Sequence, residues 1–345
     1  MVSICLAMIV KNEAHIIKEC LESVKPYIDS WIICDTGSTD ETVEIIKETL
    51  KEIPGELHLD EWIGYGQNRT KSIQRASTKA DYILVADADF ILQVEDLEFK
   101  NKLADEAYAI KVNEYHLHFL LRSDLGWKFE SYVHEYPSCG RKFGWSHLEG
   151  VKYIHTMKGG NRDTKTERER ELLFKDLESG HNISRTYFYL GQNYQESRDY
   201  ESAVENYLLS YQSSYSEEDK YVSLVRIASI SQSPHEWFKA LMFRPKRHDA
   251  YLGLARLLNQ KGNYQLAYNF ATMGYKLPNS NDIVFNDWEF SRWKFLDELI
   301  ISCYYLERWV EGYKYCVAIK MLEIPTEHKE RINKNISYFQ NYLDR

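Results

Sequence analysis

The chain has 345 residues, of which 44% are hydrophobic and 28% are charged, and its formal net charge at pH 7 is -9. This length suggests two domains, and the composition is that of an ordinary globular protein. The negative charge disfavours nucleic acid as a partner of the whole chain. Apolar runs fall short of the roughly 20 residues that span a bilayer, so we expect no transmembrane segment. The six cysteines form no CxxC pair, which favours free thiols in a cytoplasmic protein.

Strands and helices alternate in the predicted structure of the first part of the chain. Continuous apolar runs predict strands at 4–10, 31–34 and 82–86, and a third, shorter strand is predicted at 56–60. Apolar residues at helical spacing predict helices at 14–24, 43–50 and 68–77. Ser38 and Glu41 have the spacing of a capping box at the start of the second helix. Alternation of this kind predicts parallel pairing with right-handed crossovers.

Acidic residues follow two of these strands. Asp35 ends the second strand, and Asp87-Ala88-Asp89 follows the fourth. Ligands of open α/β sheets bind beyond the carboxyl ends of the strands, so we expect these carboxylates to share one crevice. Two carboxylates two residues apart in an extended chain lie on the same side and repel each other unless a cation neutralises them. Mn²⁺ or Mg²⁺ would do so through oxygen ligands. Asp35 by itself is also compatible with a simple turn.

The pattern changes after Asp89. Strands are predicted at 107–112, 115–121, 132–136 and 151–155, without long helices between them. These strands predict a mixed-sheet extension that completes the acceptor side of the crevice.

Several segments together resemble a known family. They read LAMIVKNEAHIIKECLESV, DTGSTDET, GYGQNRTKSIQRASTKADYILVADADF, YVHEYP and IHTMKGGNRDTKTERERELL. The resemblance is to family 2 glycosyltransferases with a GT-A fold, and it covers roughly the first 175 residues. With helical repeats after it, this arrangement is similar to a subgroup that includes bacterial peptide S-glycosyltransferases. The resemblance implies an inverting transfer of a sugar from a nucleotide-diphosphate donor, with UDP as the commoner nucleotide.

The resemblance also implies which residues bind the nucleotide. Val10 would flank the base, and Asp35 would contact the base or the ribose with Asp40 near it. Asn68 and Arg69 match a helix start that approaches the diphosphate in family members.

Metal binding and catalysis are implied in the same way. Asp89 would be the principal metal ligand, Asp87 would touch the ribose or the metal, and His155 would add a ligand to the metal or the diphosphate. A purely structural histidine is the alternative for His155. The acidic base of an inverting enzyme would be Glu135, although the common Glu-Asp pair of the family is absent. His134 is the neighbouring candidate, as a base or as a ligand.

A basic run follows these motifs. It contains Lys158, Arg162, Lys165, Arg168 and Arg170, and Gly159-Gly160 makes its start a flexible loop. Two interpretations stay open. The loop closes over the diphosphate through Arg162 and Lys165, as loops of transferases often do, or it is the solvated start of a helix.

The second half of the chain predicts helical repeats. Tyr200 and Ala203 recur as Tyr264 and Ala267 after 64 residues, which is close to two repeats of about 34 residues. Intervening helices are predicted at 221–230 and 235–243, a degenerate fourth pair at 288–321, and a polar capping helix after it. We therefore predict a GT-A domain at 1–165, a Rossmann-like mixed sheet flanked by helices, and an all-α tetratricopeptide-like domain at 166–345.

Three functions are compatible with this organisation. A metal-dependent glycosyltransferase is favoured, with an acceptor peptide, protein or glycan and with repeats that bind the acceptor, form a homodimer or brace the other domain. The alternative is a non-catalytic repeat scaffold with a degenerate nucleotide-sugar domain. A nucleotidyltransferase is disfavoured, because Lys11-Asn12-Glu13 stands where those enzymes carry a Gly-rich loop.

Overall fold

The computed structural model describes residues 2–113, 115–159, 165–280, 282 and 288–343. For residues 288–291, 341 and 343 it describes the backbone alone. The chain divides into two compact units, Met1–His181 and Asn182–Arg345.

The first unit begins with the predicted alternation. Its elements are β1 (Ile4–Val10), α1 (Ile17–Val24), β2 (Ser30–Asp35), α2 (Thr42–Thr49), β3 (Gly55–Leu59), α3 (Tyr65–Ala76) and β4 (Tyr82–Val85). The predicted strands and helices of this part are confirmed. Helix α3 starts earlier than predicted, so Asn68 and Arg69 lie inside it rather than at its start.

The predicted capping box at the start of α2 is wrong. The Ser38 hydroxyl accepts a hydrogen bond from the Asn12 backbone N–H instead (2.9 Å). Asp40 takes over the capping, since its Oδ1 accepts from the backbone N–H (3.1 Å) and the hydroxyl (2.5 Å) of Thr42. The first turn of α2 is therefore tied to the loop after β1.

Shorter strands and one helix complete this unit. They are β5 (Phe90–Val94), β6 (Ala107–Val112), β7 (Tyr115–Arg122), β8 (Lys128–Glu130), β9 (Tyr136–Ser138), β10 (Trp145–His155) and α4 (Lys165–Ser179). Sequence patterns missed β5 and β8. The strand predicted at 132–136 is wrong, because the backbone at Ser131 (φ 75°) and His134 (φ 51°) is left-handed and cannot extend.

Among the described residues, eight strands form one sheet in the order β3-β2-β1-β4-β7-β6-β10-β5. The pairs β3–β2, β2–β1 and β1–β4 are parallel, as predicted, and β7 is antiparallel to β4. Val10 pairs with Asp35, and Asp35 pairs with Leu59. The carboxyl ends of these parallel strands are therefore level, which brings the loops that follow them to one edge. The sheet is the predicted mixed sheet of a GT-A fold.

Helix α4 belongs to the first unit. The Asp176 carboxylate on α4 accepts the backbone N–H of Tyr132 with both oxygens (2.9 and 3.0 Å). The compact units consequently divide after His181, whereas the domain boundary predicted from the sequence follows residue 165.

The second unit consists of helices in antiparallel pairs. The pairs are α5 (Ile183–Glu196) with α6 (Tyr200–Ser213), α7 (Glu217–Ser231) with α8 (Pro234–Phe243), α9 (His248–Gln260) with α10 (Tyr264–Lys276), and α11 (Trp288–Tyr305) with α12 (Trp309–Lys320). Helix α13 (Thr326–Leu343) ends the array. This arrangement confirms the predicted tetratricopeptide-like repeats and the terminal helix. Within the described residues, no helix has the length and apolar character needed to cross a membrane.

Candidate active site

Asp35 lies at the end of β2 with only one carboxylate oxygen in use. It is 2% exposed, and its Oδ2 accepts from the backbone N–H groups of Gly37 (3.0 Å) and Ser38 (2.9 Å). Its Oδ1 is buried and has no hydrogen-bond partner among the described residues. A buried oxygen without a hydrogen bond lowers the stability of the fold unless a ligand donates a hydrogen bond to it. The geometry thus agrees with the role expected of Asp35 toward a base or ribose.

The loops after β1 and β2 are joined by side chains around this carboxylate. Asn12 Oδ1 accepts from the Thr39 backbone N–H (2.7 Å), and Asp40 Oδ2 accepts from the Ala14 backbone N–H (3.1 Å). Burial acts to raise the pKa of the Asp40 carboxyl. The hydrogen bonds that Asp40 accepts from Thr42 and Ala14 outweigh this effect, so its pKa is lowered. Val10 is buried, and its carbonyl accepts from Thr36. Asp40 and Val10 therefore shape the loops, and direct contact with a nucleotide stays a prediction for both.

Asn68 is fully buried and forms hydrogen bonds with the loop that precedes α3. Its Oδ1 accepts from the backbone N–H groups of Ile63 (2.9 Å) and Gly64 (3.2 Å), and its Nδ2 donates to the Glu61 carbonyl (2.9 Å). These contacts assign Asn68 a structural role at the helix start, and the predicted diphosphate contact is untested.

Arg69 connects the predicted base, Glu135, to Asp87, which is predicted to touch the ribose or the metal. Its Nε donates to Glu135 Oε1 (2.9 Å) and its Nη2 to Asp87 Oδ1 (3.0 Å), while the rings of Phe119 and Phe129 lie 5.5 and 5.4 Å from its guanidinium carbon. Burial acts to lower the pKa of Arg69, but the carboxylates of Asp87 and Glu135 raise it above its usual value. Arg69 is only 4% exposed, so it orders these carboxylates rather than meeting solvent. Its Nη1 is buried without a partner among the described residues.

Asp89, in the turn between β4 and β5, lies close to His155 at the end of β10. The Nε2 atom of His155, at the end of β10, lies 3.0 Å from Asp89 Oδ2, and the Gly159 backbone N–H donates to the same oxygen (3.3 Å). Neighbouring ligands of an octahedral cation of Mg²⁺ size, each about 2.1 Å from the ion, lie about 3.0 Å apart. The same separation is that of a hydrogen bond, so the contact is compatible with a shared divalent cation without testing it.

Among the described residues, no group of three or more His, Cys, Asp and Glu side chains is placed to hold a metal ion. A nucleotide-dependent Mg²⁺ or Mn²⁺ site does not require such a group, because substrate phosphates and water supply the remaining ligands. Asp87, which is engaged by Arg69, and Asp89, which faces His155, are thus compatible with the predicted metal site without testing it.

The loop that carries His134 and Glu135 packs against the start of α3. The Tyr65 backbone N–H donates to the Tyr132 carbonyl (2.8 Å). A Cβ atom added to Gly66 would overlap the Ser131 carbonyl and would lie 3.3 Å from the Glu135 Cβ. Glycine is therefore needed at this position for the loop to approach the helix and bring Glu135 to Arg69.

Sequence reasoning missed several residues that build the site. Asp176 anchors the loop at Tyr132, and Tyr115 and Asn113 contact His155. The Gly64-Tyr65-Gly66 segment offered a signal, since glycines at a helix start often permit close backbone approach. No local pattern distinguished Asp176 from other acidic residues of its helix.

The predicted basic run is only partly described. Arg162 lies outside the described residues. Lys165 is the first residue of α4 and lies 3.6 Å from Glu169 within that helix. The backbone carbonyl of Lys158 lies 3.1 Å from His15 Nε2, which ties the segment after β10 to the loop after β1. Closure of this run over a ligand stays a prediction.

Residues 5–110 match the model of glycosyl transferase family 2. This match lies within the first unit and supports a glycosyltransferase domain there. The matched range contains Asp35, Arg69, Asp87 and Asp89, while Glu135 and His155 lie beyond it.

Curated relatives agree with a glycosyltransferase domain joined to repeats. The chain is 26% identical over 234 residues to the SPbeta prophage-derived glycosyltransferase SunS of Bacillus subtilis, which covers 59% of this chain and 54% of the relative. It is 39% identical over 95 residues to a TPR repeat-containing protein of Synechococcus elongatus, which covers 28% of this chain and 22% of the relative. An uncharacterized glycosyltransferase of Rickettsia bellii is 38% identical over 113 residues, which cover 30% and 36%. The chain thus spans about half or less of the length of these relatives.

Solved structures include distant matches. TarS from S. aureus in complex with UDP-GlcNAc is 12% identical, with 89% of this chain and 92% of that chain covered and a TM-score of 0.34. Yeast Tom70 is 14% identical, with 55% and 45% covered and a TM-score of 0.33.

Proposed function

We propose that the protein is a metal-dependent, inverting glycosyltransferase that moves a sugar from a nucleotide-diphosphate donor, with UDP favoured, to a peptide, protein or glycan acceptor. The observation that carries this proposal is the Arg69 guanidinium, which ties Asp87, beside the predicted metal ligand Asp89, to the predicted base Glu135. In this proposal, one buried side chain contacts both the carboxylate beside the leaving group and the carboxylate that takes the acceptor's proton.

Donor binding is assigned to the loops after the parallel strands. The unpartnered Oδ1 of Asp35 would accept a hydrogen bond from the base or the ribose. Asp89 and His155, with Asp87 beside them, would hold Mn²⁺ or Mg²⁺ together with the diphosphate. A cation bound there supplies positive charge that stabilises the departing diphosphate.

Glu135 is the base in this proposal. The acceptor heteroatom forms a bond to the anomeric carbon of the sugar on the face opposite the leaving group. The bond from that carbon to the diphosphate oxygen breaks, and its electron pair stays with the diphosphate. Glu135 takes the proton of the acceptor, while the hydrogen bond from Arg69 Nε keeps its carboxylate directed. Placement of this kind removes much of the entropic cost of bringing the groups together.

The helical unit offers a site for the acceptor. A cavity of about 420 Å³ is lined mainly by α7 and α9. Its charged lining residues are Arg226, Arg247, Arg256, Lys294 and Asp249. Two of these cations are neutralised, because Arg247 is ion-paired with Asp249 and Asp282, and Arg256 with Glu298. We propose that this polar cavity binds part of an acceptor peptide or protein.

Donor hydrolysis tests the proposal without knowledge of the acceptor. The protein is incubated with Mn²⁺ and a panel of UDP-, GDP- and dTDP-sugars, and released nucleotide diphosphate is measured. We expect release from one donor, its loss with EDTA, and a decrease of about 10²–10³-fold in Asp89→Ala, the range found when one stabilising group is removed. Asp124→Ala, at an exposed carboxylate remote from the site, is the matched control.

Binding to the same panel separates this proposal from the scaffold alternative. Donor binding that depends on Asp35 but occurs without release indicates a transferase that requires its acceptor. Absence of both binding and release across the panel contradicts the proposal and favours the non-catalytic scaffold.

A further inference from the structure

Asn113, in the turn after β6, and Tyr115, the first residue of β7, both contact His155. The Asn113 side chain pairs with the backbone of His155, because its Oδ1 accepts from the His155 N–H (3.1 Å) and its Nδ2 donates to the His155 carbonyl (3.3 Å). The Tyr115 hydroxyl lies 3.3 Å from Nδ1 of the same imidazole. Asn113 therefore contacts the main chain of His155, and Tyr115 contacts its ring.

The Asn113 contact comes where regular pairing between β6 and β10 ends. Tyr153 pairs with Val112 in that register, and the Asn113 backbone N–H donates to the Tyr153 carbonyl (3.3 Å). Asn113 itself is left-handed (φ 49°), a conformation that asparagine tolerates better than most residues. Its amide thus replaces the next ladder hydrogen bonds and fixes the main chain of His155 at the strand end.

The imidazole of His155 is oriented by three neighbours. Its Nε2 faces Asp89 Oδ2 (3.0 Å), its Nδ1 faces the Tyr115 hydroxyl, and the Phe90 ring packs edge-on against it with centroids 5.1 Å apart. Rotation of the ring would break both hydrogen bonds, so Nε2 is held toward the carboxylate.

A tyrosine hydroxyl is suited to this position because it both donates and accepts. While Nε2 donates to Asp89, a neutral imidazole accepts at Nδ1, and the Tyr115 hydroxyl donates. A nitrogen that ligates a cation uses its lone pair, so the imidazole proton then lies on Nδ1 and Tyr115 accepts it. The same contact satisfies the ring in both states.

We propose that Tyr115 and Asn113 are positioning residues that orient His155 so that its Nε2 can bind a divalent cation together with Asp89. This inference rests on the proposed function, since it needs the cation that the donor diphosphate shares. Partners of this kind at metal-bound histidines typically change metal affinity by about 10–100-fold when they are removed.

Mn²⁺ binding in the presence of UDP provides a test that does not depend on turnover. Free Mn²⁺ is followed by electron paramagnetic resonance during titration of the full chain. Tyr115→Phe, which removes only the hydroxyl, is expected to weaken Mn²⁺ binding about 10–100-fold while the melting temperature stays unchanged. Tyr215→Phe, at a fully exposed tyrosine, is the matched control and should bind Mn²⁺ like the unchanged protein.

Asp89→Asn separates the failure of this inference from the failure of the proposed function. If Asp89→Asn loses Mn²⁺ binding while Tyr115→Phe binds as tightly as the unchanged protein, Tyr115 does not position the ligand and the inference is wrong. If Asp89→Asn also binds Mn²⁺ normally, or if the unchanged protein binds none, the metal site of the proposed function is wrong and the inference falls with it.

Discussion

The two units differ in what lies against their glycines. In the helical unit, glycines receive aromatic rings from neighbouring helices, in the pairs Gly191–Tyr207, Gly253–Trp237, Gly274–Phe295 and Gly312–Phe339. In the glycosyltransferase domain, Gly55 likewise faces the Trp31 ring, but Gly66 lies against a backbone carbonyl of the loop that carries Glu135. The same residue type thus serves helix packing in one unit and the geometry of a candidate active site in the other.

Buried side-chain atoms without a hydrogen-bond partner are found in both units among the described residues, and Thr272 Oγ1 is one in the helical unit. In the glycosyltransferase domain, two of these atoms, Asp35 Oδ1 and Arg69 Nη1, belong to residues of the candidate site. A buried polar atom without a hydrogen bond destabilises the folded chain unless a ligand supplies the missing hydrogen bond. Substitutions in the domain should therefore change catalysis and binding first, whereas substitutions at the helix–helix glycines should change stability first.

The largest expected effect concerns the base. Glu135→Gln keeps an oxygen for Arg69 Nε but removes the proton acceptor, so we expect the rate of donor turnover to fall about 10²–10⁴-fold with unchanged affinity for UDP. Initial rates and calorimetry of UDP binding measure the two quantities. Glu130→Gln on β8 is the control. Full activity in Glu135→Gln together with an inactive His134→Asn would assign the base to His134 instead.

The next effect concerns the approach of the loop to α3. Alanine usually stabilises a helix relative to glycine, but in Gly66→Ala the new Cβ overlaps the Ser131 carbonyl. Displacement of Glu135 by about 1 Å would lower turnover about 10²-fold. Gly144→Ala is the matched control, because the nearest atom to its Cβ is Glu106 Oε2 at 4.0 Å. Equal rates for the two variants would show that the close contact does not position Glu135.

A smaller effect is expected at the nucleotide end. Asp35→Asn keeps the shape of the side chain and an oxygen for Gly37 and Ser38 but removes the charge at the unpartnered position. Loss of a hydrogen bond to a charged group costs about 1.5–3 kcal/mol, so UDP affinity should fall about 10–150-fold. Calorimetric titration measures it, with Asp124→Asn as the control. Unchanged UDP affinity would remove Asp35 from the binding site.

The smallest effect should be confined to stability. In Gly191→Ala the added Cβ would lie 2.7 Å from the Tyr207 ring, and overpacking of this kind costs about 1–3 kcal/mol of unfolding free energy. Urea denaturation measures it, with the exposed Glu205→Ala on the partner helix as a control expected within about 0.5 kcal/mol. UDP affinity should not change. A loss of UDP affinity without a loss of stability would break the contrast between the two units.

Local patterns were sufficient for some features of this chain and insufficient for others. The strands that end at Asp35 and precede Asp87 follow from continuous apolar runs, and the repeats follow from the spacing of Tyr200 and Tyr264. The contacts Arg69–Glu135 and Asp89–His155 join residues 66 positions apart in each case, and no local pattern specifies such a distance. The loop at 131–135 was mistaken in part for a strand because its left-handed residues, Ser131 and His134, are not glycines.

Crystals grown with Mn²⁺ and UDP would test the central claim most directly, by anomalous scattering from manganese. The account predicts an anomalous peak bound by Asp89 and His155, with the UDP diphosphate as a further ligand and the base or ribose beside Asp35. A peak at other residues, or UDP bound away from the edge that carries Asp35 and Asp89, would contradict it.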